Sequence, residues 1–211
     1  MPPTALAPIA LSPRVVVFDY GEVISHAPTE EDRARLVHRA GSLDAGFWPV
    51  YWRHRDGLDR GTLSIAEYWA TVARDLGASW SRIDVHELWA IDHRMWLSVD
   101  PATLAVLHAL RDGRTRLALL SNAGADFGGW LRHGSFSPLF ELVFVSGELG
   151  LLKPHAEIYE HVMAELGIAA SDFVFVDNKA VNVEGALAVG GSGHVFTDAA
   201  GLESWLRELA A

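Results

Sequence analysis

The stretch from Arg14 to Ile24, RVVVFDYGEVI, decides the fold of this chain. Its first half is a continuous apolar run rich in β-branched residues, which is typical of a parallel strand buried on both faces. The run ends at Asp19, so that a carboxylate directly follows the predicted strand. Because the carboxyl ends of parallel strands meet at one edge of a sheet, we expect a ligand site at that edge.

Three further stretches combine an apolar run with polar residues at its end or just after it: LALLSNA (117–123), GLLKPHAEIY (150–159) and FVFVDNKAVN (173–182). The polar residues of interest are Ser121, Lys153 and Asp177. If these strand ends converge with Asp19, two carboxylates, a hydroxyl and an ammonium group share one crevice. Such a set can attack, hold and neutralise a phosphoryl group.

The remaining pattern predicts how the chain is divided. From Pro101 onward predicted helices alternate with predicted strands, which indicates βαβ units and a parallel sheet. Residues 29–98 show only helical patterning. The sequence therefore predicts an α/β fold in which a Rossmann-like core is interrupted by an all-helical insert. The expected bounds are a flexible tail at 1–13, a core at 14–24 and 99–211, and the helical insert at 25–98.

Composition excludes several classes of function. The 211 residues carry a net charge of −10, which argues against a nucleic-acid surface. There is no cysteine, so disulfides, thiolate catalysis and cysteine-based zinc sites are excluded. No apolar stretch reaches the roughly 18 residues of a membrane span, and the proline-rich start lacks the basic region of a signal peptide. We expect a cytoplasmic monomer or homodimer without nucleic-acid or membrane partners.

Four motifs in this order, with a helical block after the first, resemble the haloacid dehalogenase-like (HAD) hydrolase superfamily in its helical-cap subclass. The resemblance covers the chain from Arg14 onward. The D-Y-G-E-V-I motif and the later D-N-x-x-x-N motif are most similar to a branch that contains sugar-phosphate phosphatases and the N-terminal phosphatase domains of epoxide hydrolases. The resemblance implies a HAD-like core with a cap, and hydrolysis of a small phosphorylated metabolite.

The resemblance also implies roles for individual residues. Asp19 is the expected nucleophile and forms an aspartyl-phosphate that water then hydrolyses. Ser121 is expected to donate a hydrogen bond to the phosphoryl group, and Lys153 to offset its charge. The expected substrate-binding residues are Asn122 and Ala123, through backbone N–H groups at the start of the next helix, together with Glu22, His26, Arg53 and Arg55.

A Mg²⁺ cofactor is implied as well, with Asp19, Gly21, Asp177 and Asn178 as its site. Two of these residues depart from the common phosphatase pattern. Gly21 stands where an aspartate usually acts as the general acid, and Asn178 stands where a second aspartate usually meets the metal. An asparagine brings no negative charge, so we expect weak Mg²⁺ binding. Glu22 and His26 are the candidates for a replacement acid.

Three functions stay open on these grounds. The first is a Mg²⁺-dependent phosphatase. The second is a non-catalytic or very weakly active relative that binds a phosphometabolite or a protein, which both departures favour. The third is a 2-haloacid dehalogenase in which Asp19 displaces halide. Dehalogenases of this superfamily typically carry a tyrosine at the place of Gly21 and a Ser-Ser-Asn fourth motif, neither of which is present here.

Overall fold

The computed structural model describes residues 6–42 and 44–211. Five parallel strands form its sheet: β1 (Val15–Phe18), β2 (Arg116–Ser121), β3 (Leu142–Val145), β4 (Phe173–Asp177) and β5 (Ser192–Val195). Their order in space is β3-β2-β1-β4-β5, with Val17 of β1 paired to Ala118 on one side and Phe175 on the other. The central strand is therefore the one that leads into Asp19, and the predicted parallel α/β fold is confirmed.

Helices cover both faces of the sheet: α6 (Pro101–Asp112), α7 (Gly128–His133), α8 (Ser146–Leu149), α9 (Ala156–Leu166), α10 (Ala180–Ala188) and α11 (Ala199–Ala210). Side chains of α6 and α11 pack on one face in a buried cluster with Val16 and Phe18. Side chains of α9 and α10 pack on the other face with Val15 and Val17. Alternate residues of β1 thus point to opposite faces, as a doubly covered parallel sheet requires.

Five helices lie between β1 and α6: α1 (Glu30–Ala40), α2 (Asp44–Arg53), α3 (Arg55–Asp59), α4 (Ile65–Leu76) and α5 (Arg82–Met95). We call residues 30–95 the helical region. Thr29, Ser64 and Ser81 each begin a helix with a capping box, which satisfies backbone N–H groups that would otherwise lack partners. A third buried cluster, drawn entirely from this region, holds the helices together. The short helix α3 was not anticipated from the sequence.

Two antiparallel segments connect the helical region to the sheet. Ser25 and Val99 form an isolated bridge. The N–H of His26 donates to the carbonyl of Ser98 at 2.7 Å, and the N–H of Asp100 donates to the carbonyl of Ile24 at 2.8 Å. The chain therefore leaves and re-enters the core at one place.

The predicted flexible tail is wrong for residues 6–13, while residues 1–5 lie outside the described residues. Ile9 and Leu11 are buried in the cluster beneath α6. The Ile9 N–H donates to the carbonyl of Ala109 at 2.9 Å, and Thr115 Oγ1 accepts from the N–H of Leu11 at 3.0 Å. The segment is held against the core by these two apolar side chains and hydrogen bonds, although its prolines suggested a disordered tail.

None of the helices that the structure describes is long and apolar enough to cross a bilayer.

Candidate active site

Three of the predicted charged residues meet at the carboxyl edge of the sheet. Lys153 Nζ lies 2.8 Å from Asp19 Oδ1 and 2.7 Å from Asp177 Oδ2. It also donates to the carbonyl of Leu120 at 3.1 Å. The Lys153 side chain is almost fully buried, so these contacts replace its hydration shell. The convergence of Asp19, Lys153 and Asp177 that the strand ends predicted is present.

The two carboxylates differ in how many hydrogen bonds they accept. Both oxygens of Asp177 accept from Asn182 Nδ2, at 3.1 and 3.0 Å, and Oδ1 also accepts from the N–H of Lys179 at 2.8 Å. Asp19 Oδ1 accepts from the N–H of Tyr20 at 2.7 Å. Asp19 Oδ2 accepts no hydrogen bond from the described residues. Asp177 is therefore fixed in place, whereas Asp19 keeps one oxygen for a ligand.

The charges of this cluster are strongly coupled. Burial raises the pKa of Asp19 to about 6, assisted by the charge of Asp177 and opposed by Lys153. Burial alone would lower the pKa of Lys153, but its two carboxylate partners raise it above the usual value. At neutral pH Lys153 is thus charged and Asp19 is mostly ionised, which is the form that can act as a nucleophile.

Ser121 ends β2 and lines the same crevice as Asp19. The next residue, Asn122, positions the lysine loop with its side chain. Its Nδ2 donates to the carbonyl of Lys153, and its Oδ1 accepts from the N–H of Lys153, both at 3.0 Å. The sequence predicted Asn122 as a phosphate ligand through its backbone and missed this side-chain function, for which local pattern carries no signal.

The expected function of the Ala123 amide is wrong. Its N–H donates to Ser146 Oγ at 2.9 Å, so that it is already occupied. The helical segment after β2 begins at Ala125, as a 3₁₀ turn at Ala125–Phe127 followed by α7, so Asn122 and Ala123 precede its first turn. Ala123 therefore lines the crevice without offering a helix N-terminus to an anion.

Gly21, Glu22 and Asn178 form one side of the crevice mouth. Asn178 Nδ2 donates to Glu22 Oε2 at 3.0 Å, which fixes the orientation of the amide. The other amide atom, Asn178 Oδ1, is buried and has no hydrogen-bond partner among the described residues. An unpaired buried oxygen on a residue that lines the same crevice as Asp19 fits a hard cation such as Mg²⁺. The described residues contain no cluster of three or more acidic, histidine or cysteine side chains arranged for a metal.

A cavity of about 410 Å³ opens over these groups. The part of its lining that we call the far wall comes from the helical region and its return to the core: Trp52, Arg55, Asp56, Asp59 and Trp96, the last next to Gly21. Phe127, in the 3₁₀ turn after β2, completes the apolar part of the lining. The core thus contributes the charged cluster to the cavity lining, and the helical region with Trp96 contributes mostly aromatic and acidic side chains.

Arg55 was expected to meet an anionic substrate, and the structure does place it at the cavity. Its guanidinium group is already paired, however. Nε donates to Asp59 Oδ1 at 2.9 Å and Nη1 donates to Asp92 Oδ2 at 3.0 Å. Tyr51 donates its hydroxyl hydrogen to Asp92 Oδ1 at 2.6 Å. Burial raises the pKa of Asp59 to about 6 although Arg55 opposes the rise.

Two predicted substrate-binding residues are wrong. His26 is exposed on the segment that joins β1 to α1 and does not line the cavity. Arg53 faces solvent, where Nη1 donates to Asp75 Oδ2 at 3.2 Å. Arg53 ends α2 and Arg55 begins α3, and only Arg55 lines the cavity. Asp56 and Asp59, which the sequence did not single out, occupy the wall instead.

Comparison with known proteins gives a consistent picture. Residues 15–190 match the family of haloacid dehalogenase-like hydrolases. Sesquiterpene phosphatase astK of Aspergillus oryzae is 32% identical over 114 residues, which are 54% of this chain and 58% of that protein. Drimenol cyclase drtB of Aspergillus calidoustus is 24% identical over 180 residues, which are 84% of this chain and 33% of that protein. The chain thus spans only part of the length of either relative.

Solved structures share the fold at low sequence identity. A HAD family enzyme of Bacteroides thetaiotaomicron, solved with magnesium and inorganic phosphate, gives a TM-score of 0.68 at 21% identity and covers 87% of this chain and 94% of that one. An L-2-haloacid dehalogenase of Xanthobacter autotrophicus gives a TM-score of 0.62 at 20% identity and covers 85% of this chain and 76% of that one. These likenesses extend over nearly the whole chain.

Proposed function

Because this chain belongs to the haloacid dehalogenase-like hydrolase family, we propose that it is a phosphatase that hydrolyses a small phosphorylated metabolite through an aspartyl-phosphate at Asp19. The observation that carries the proposal is the state of the Asp19 carboxylate. One oxygen is held by Lys153 and the Tyr20 N–H, and the other faces the cavity without a partner among the described residues. A sesquiterpene phosphatase among the relatives supports the phosphatase branch.

In the proposed reaction Asp19 Oδ2 attacks phosphorus as the bond to the leaving-group oxygen breaks. Lys153 holds the carboxylate in position and offsets the negative charge that gathers as the phosphoryl group approaches. The Ser121 hydroxyl and the Asn122 backbone N–H donate to phosphoryl oxygens. Water then attacks the acyl phosphate, which releases inorganic phosphate and restores Asp19.

We propose that Mg²⁺ is held by the Asp19 carboxylate, the backbone carbonyl of Gly21 and Asn178 Oδ1. When bound, the cation neutralises charge on the phosphoryl oxygens. Asp177, which the sequence also placed among the metal ligands, already accepts four hydrogen bonds or ion-pair contacts, from Lys153, Lys179 and Asn182. Its proposed role is therefore to hold Lys153 beside Asp19.

We also propose that residues 25–98 act as a cap over the core. The paired linkers at Ser25 and Val99 support these bounds, and so does the separate buried cluster of the helical region. A cap of this kind excludes water and supplies the wall that meets the organic part of the substrate.

The test is phosphate release from a panel of esters, measured with and without added MgCl₂. Suitable esters are p-nitrophenyl phosphate, acetyl phosphate, several sugar phosphates and farnesyl phosphate, the last because of the sesquiterpene phosphatase relative. We expect Mg²⁺-dependent release that Asp19→Asn abolishes and that Asp112→Asn, an exposed carboxylate far from the cavity, leaves unchanged. Mass spectrometry of acid-quenched protein should locate the phosphoryl group on the peptide that contains Asp19.

Other outcomes assign other functions. Halide release from 2-chloropropionate that depends on Asp19 but not on MgCl₂ would replace the phosphatase by a dehalogenase. Absence of turnover together with retained phosphate binding would make the protein a non-catalytic relative, since Gly21 supplies no acid for the leaving group.

A further inference from the structure

We propose that the cavity selects phosphomonoesters whose organic group is apolar and bears no second negative charge, a selectivity that rests on the phosphatase function proposed above. The selectivity is built into the far wall of the cavity rather than into the strand edge. Trp52, Asp56 and Trp96 are the residues that would exert it.

An open aromatic surface faces the position of the organic group. Trp52 is 51% exposed, the largest fraction among the aromatic side chains of the described residues. It packs edge-on against Tyr51 at a ring-centroid distance of 4.8 Å, which fixes its base on the helical region. Trp96 and Phe127 line the same cavity. When an apolar group covers an exposed indole, apolar surface of both is removed from water, which is favourable. This wall therefore favours apolar ligands.

The charges on the same wall disfavour a second anion. The only cation that the described helical region contributes to the cavity lining is Arg55, and it is paired with Asp59 and Asp92. Asp56 also lines the cavity and forms no ion pair with any described residue. A carboxylate or phosphate at the far end of a substrate would therefore meet an unpaired carboxylate and find no available partner.

The core side of the cavity offers no alternative place for that group. Lys153 is buried between two carboxylates. Lys179 lines the cavity and is exposed, but its backbone N–H is bound to Asp177, which anchors this residue at the strand edge beside the phosphoryl end. Among the described residues, the wall from the helical region thus offers no unpaired cation to a second negative charge at the distal end of the organic group.

The experiment measures binding of alkyl phosphonates, which cannot be hydrolysed at phosphorus, by isothermal titration calorimetry in buffer with MgCl₂. The series is methyl-, butyl- and hexylphosphonate, with 6-phosphonohexanoate as the charged counterpart of the hexyl compound. We expect each added methylene to tighten binding about twofold to fourfold. Hexylphosphonate should bind at least about tenfold more tightly than 6-phosphonohexanoate.

Two variants assign the effect to the wall. Trp52→Ala should flatten the dependence on chain length and weaken hexylphosphonate binding about tenfold, while methylphosphonate changes less than about twofold. Trp52→Phe should restore most of the dependence. Ile83→Ala, which truncates an exposed apolar side chain of the same region away from the cavity, is the matched control and should change nothing. Asp56→Asn should narrow the gap between hexylphosphonate and 6-phosphonohexanoate.

Equal affinity across the alkyl series, or equal affinity for hexylphosphonate and 6-phosphonohexanoate, would overturn the proposed selectivity and leave the phosphatase proposal intact. Failure of every phosphonate and of inorganic phosphate to bind would overturn both. The affinities of the wild-type protein for the phosphonate series test the proposed selectivity even if Trp52→Ala does not fold.

Discussion

The strand edge of the core and the wall of the helical region both place a cation between two carboxylates, but the first cation is almost fully buried and the second is partly exposed. At the strand edge, Lys153 lies between Asp19 and Asp177, and one oxygen of Asp19 accepts no hydrogen bond from the residues that the structure describes. In the helical region, Arg55 lies between Asp59 and Asp92, and Tyr51 binds a further oxygen of Asp92. In the first arrangement the lysine contacts the proposed nucleophile, whereas in the second the arginine joins α3 to α5.

The comparison predicts its largest effect at Lys153. Lys153→Met leaves Asp19 and Asp177 facing each other in a buried site without a cation. We expect the free energy of unfolding at pH 7 to fall by about 3–5 kcal/mol, measured by urea denaturation. Lys179→Met, which removes an exposed lysine next to the same site, should change it by less than about 0.5 kcal/mol. Equal effects would mean that the buried ion pairs are not what stabilises the strand edge.

A second prediction concerns the point where the two regions meet above the nucleophile. A Cβ added at Gly21 would lie 3.6 Å from the Trp96 ring, an ordinary contact, and so a side chain can start at this position without overlap. Gly21→Asp should raise kcat for esters with poor leaving groups about 10²-fold by supplying a general acid. Gly21→Asn has nearly the same shape and no acid, and it should give no increase. A gain with asparagine would assign the effect to packing against Trp96 instead.

The third prediction tests how closely the two regions pack. Gly61, just after α3, has a φ of +77°, and a Cβ there would overlap the carbonyl oxygen of Gly147 in α8. Gly61→Ala should lower the free energy of unfolding by about 2–4 kcal/mol, from backbone strain and overlap together. Gly41→Ala is the control, because Gly41 has a φ of +65° but no atom within 4 Å of the added Cβ. It should cost only about 1 kcal/mol of strain.

The smallest effect is a pH dependence from the helical region. Burial raises the pKa of Asp59 to about 6, above its usual value of 3.8. Between these two values the folded state binds more protons than the unfolded state, so the Asp59 contribution to stability falls as the pH rises from about 4 to about 6. Asp59→Asn should remove that fall, which is at most about 3 kcal/mol for a pKa change from 3.8 to about 6, as measured by urea denaturation at several pH values. Asp112→Asn should leave the pH profile unchanged.

The strand edge was predictable because each of its groups follows a buried parallel strand or the loop after one. Continuous apolar runs located β1, β2 and β4. Asp19 directly follows β1, Ser121 is the last residue of β2 and Asp177 is the last residue of β4. Parallel pairing then brings these residues together whatever lies between them in the sequence. The order of the strands was not predicted, because this rule does not determine it; Lys153 lies in the loop after β3 and α8, at the same edge of the sheet.

The wall of the helical region was not predictable in the same way. Polar residues at helical spacing usually face solvent, and only the ion pair between Arg55 of α3 and Asp92 of α5 shows that these residues and Asp59 turn inward. The spacing of Arg55 and Asp59 by four residues is a signal for an ion pair, but it does not distinguish a buried pair from an exposed one. The same limit explains why Arg53 was expected at the site.

The hydrogen bonds of Tyr20 join the nucleophile to two indole-bearing residues. Its backbone N–H binds Asp19 at 2.7 Å, its hydroxyl donates to the carbonyl of Trp96 at 2.6 Å, and Trp130 Nε1 donates to that hydroxyl at 3.1 Å. Tyr20 therefore links the Asp19 carboxylate to the indole of Trp130 through hydrogen bonds. We therefore expect Trp130 emission to respond to the charge on Asp19, and comparison of wild type with Trp130→Phe on addition of phosphate tests this.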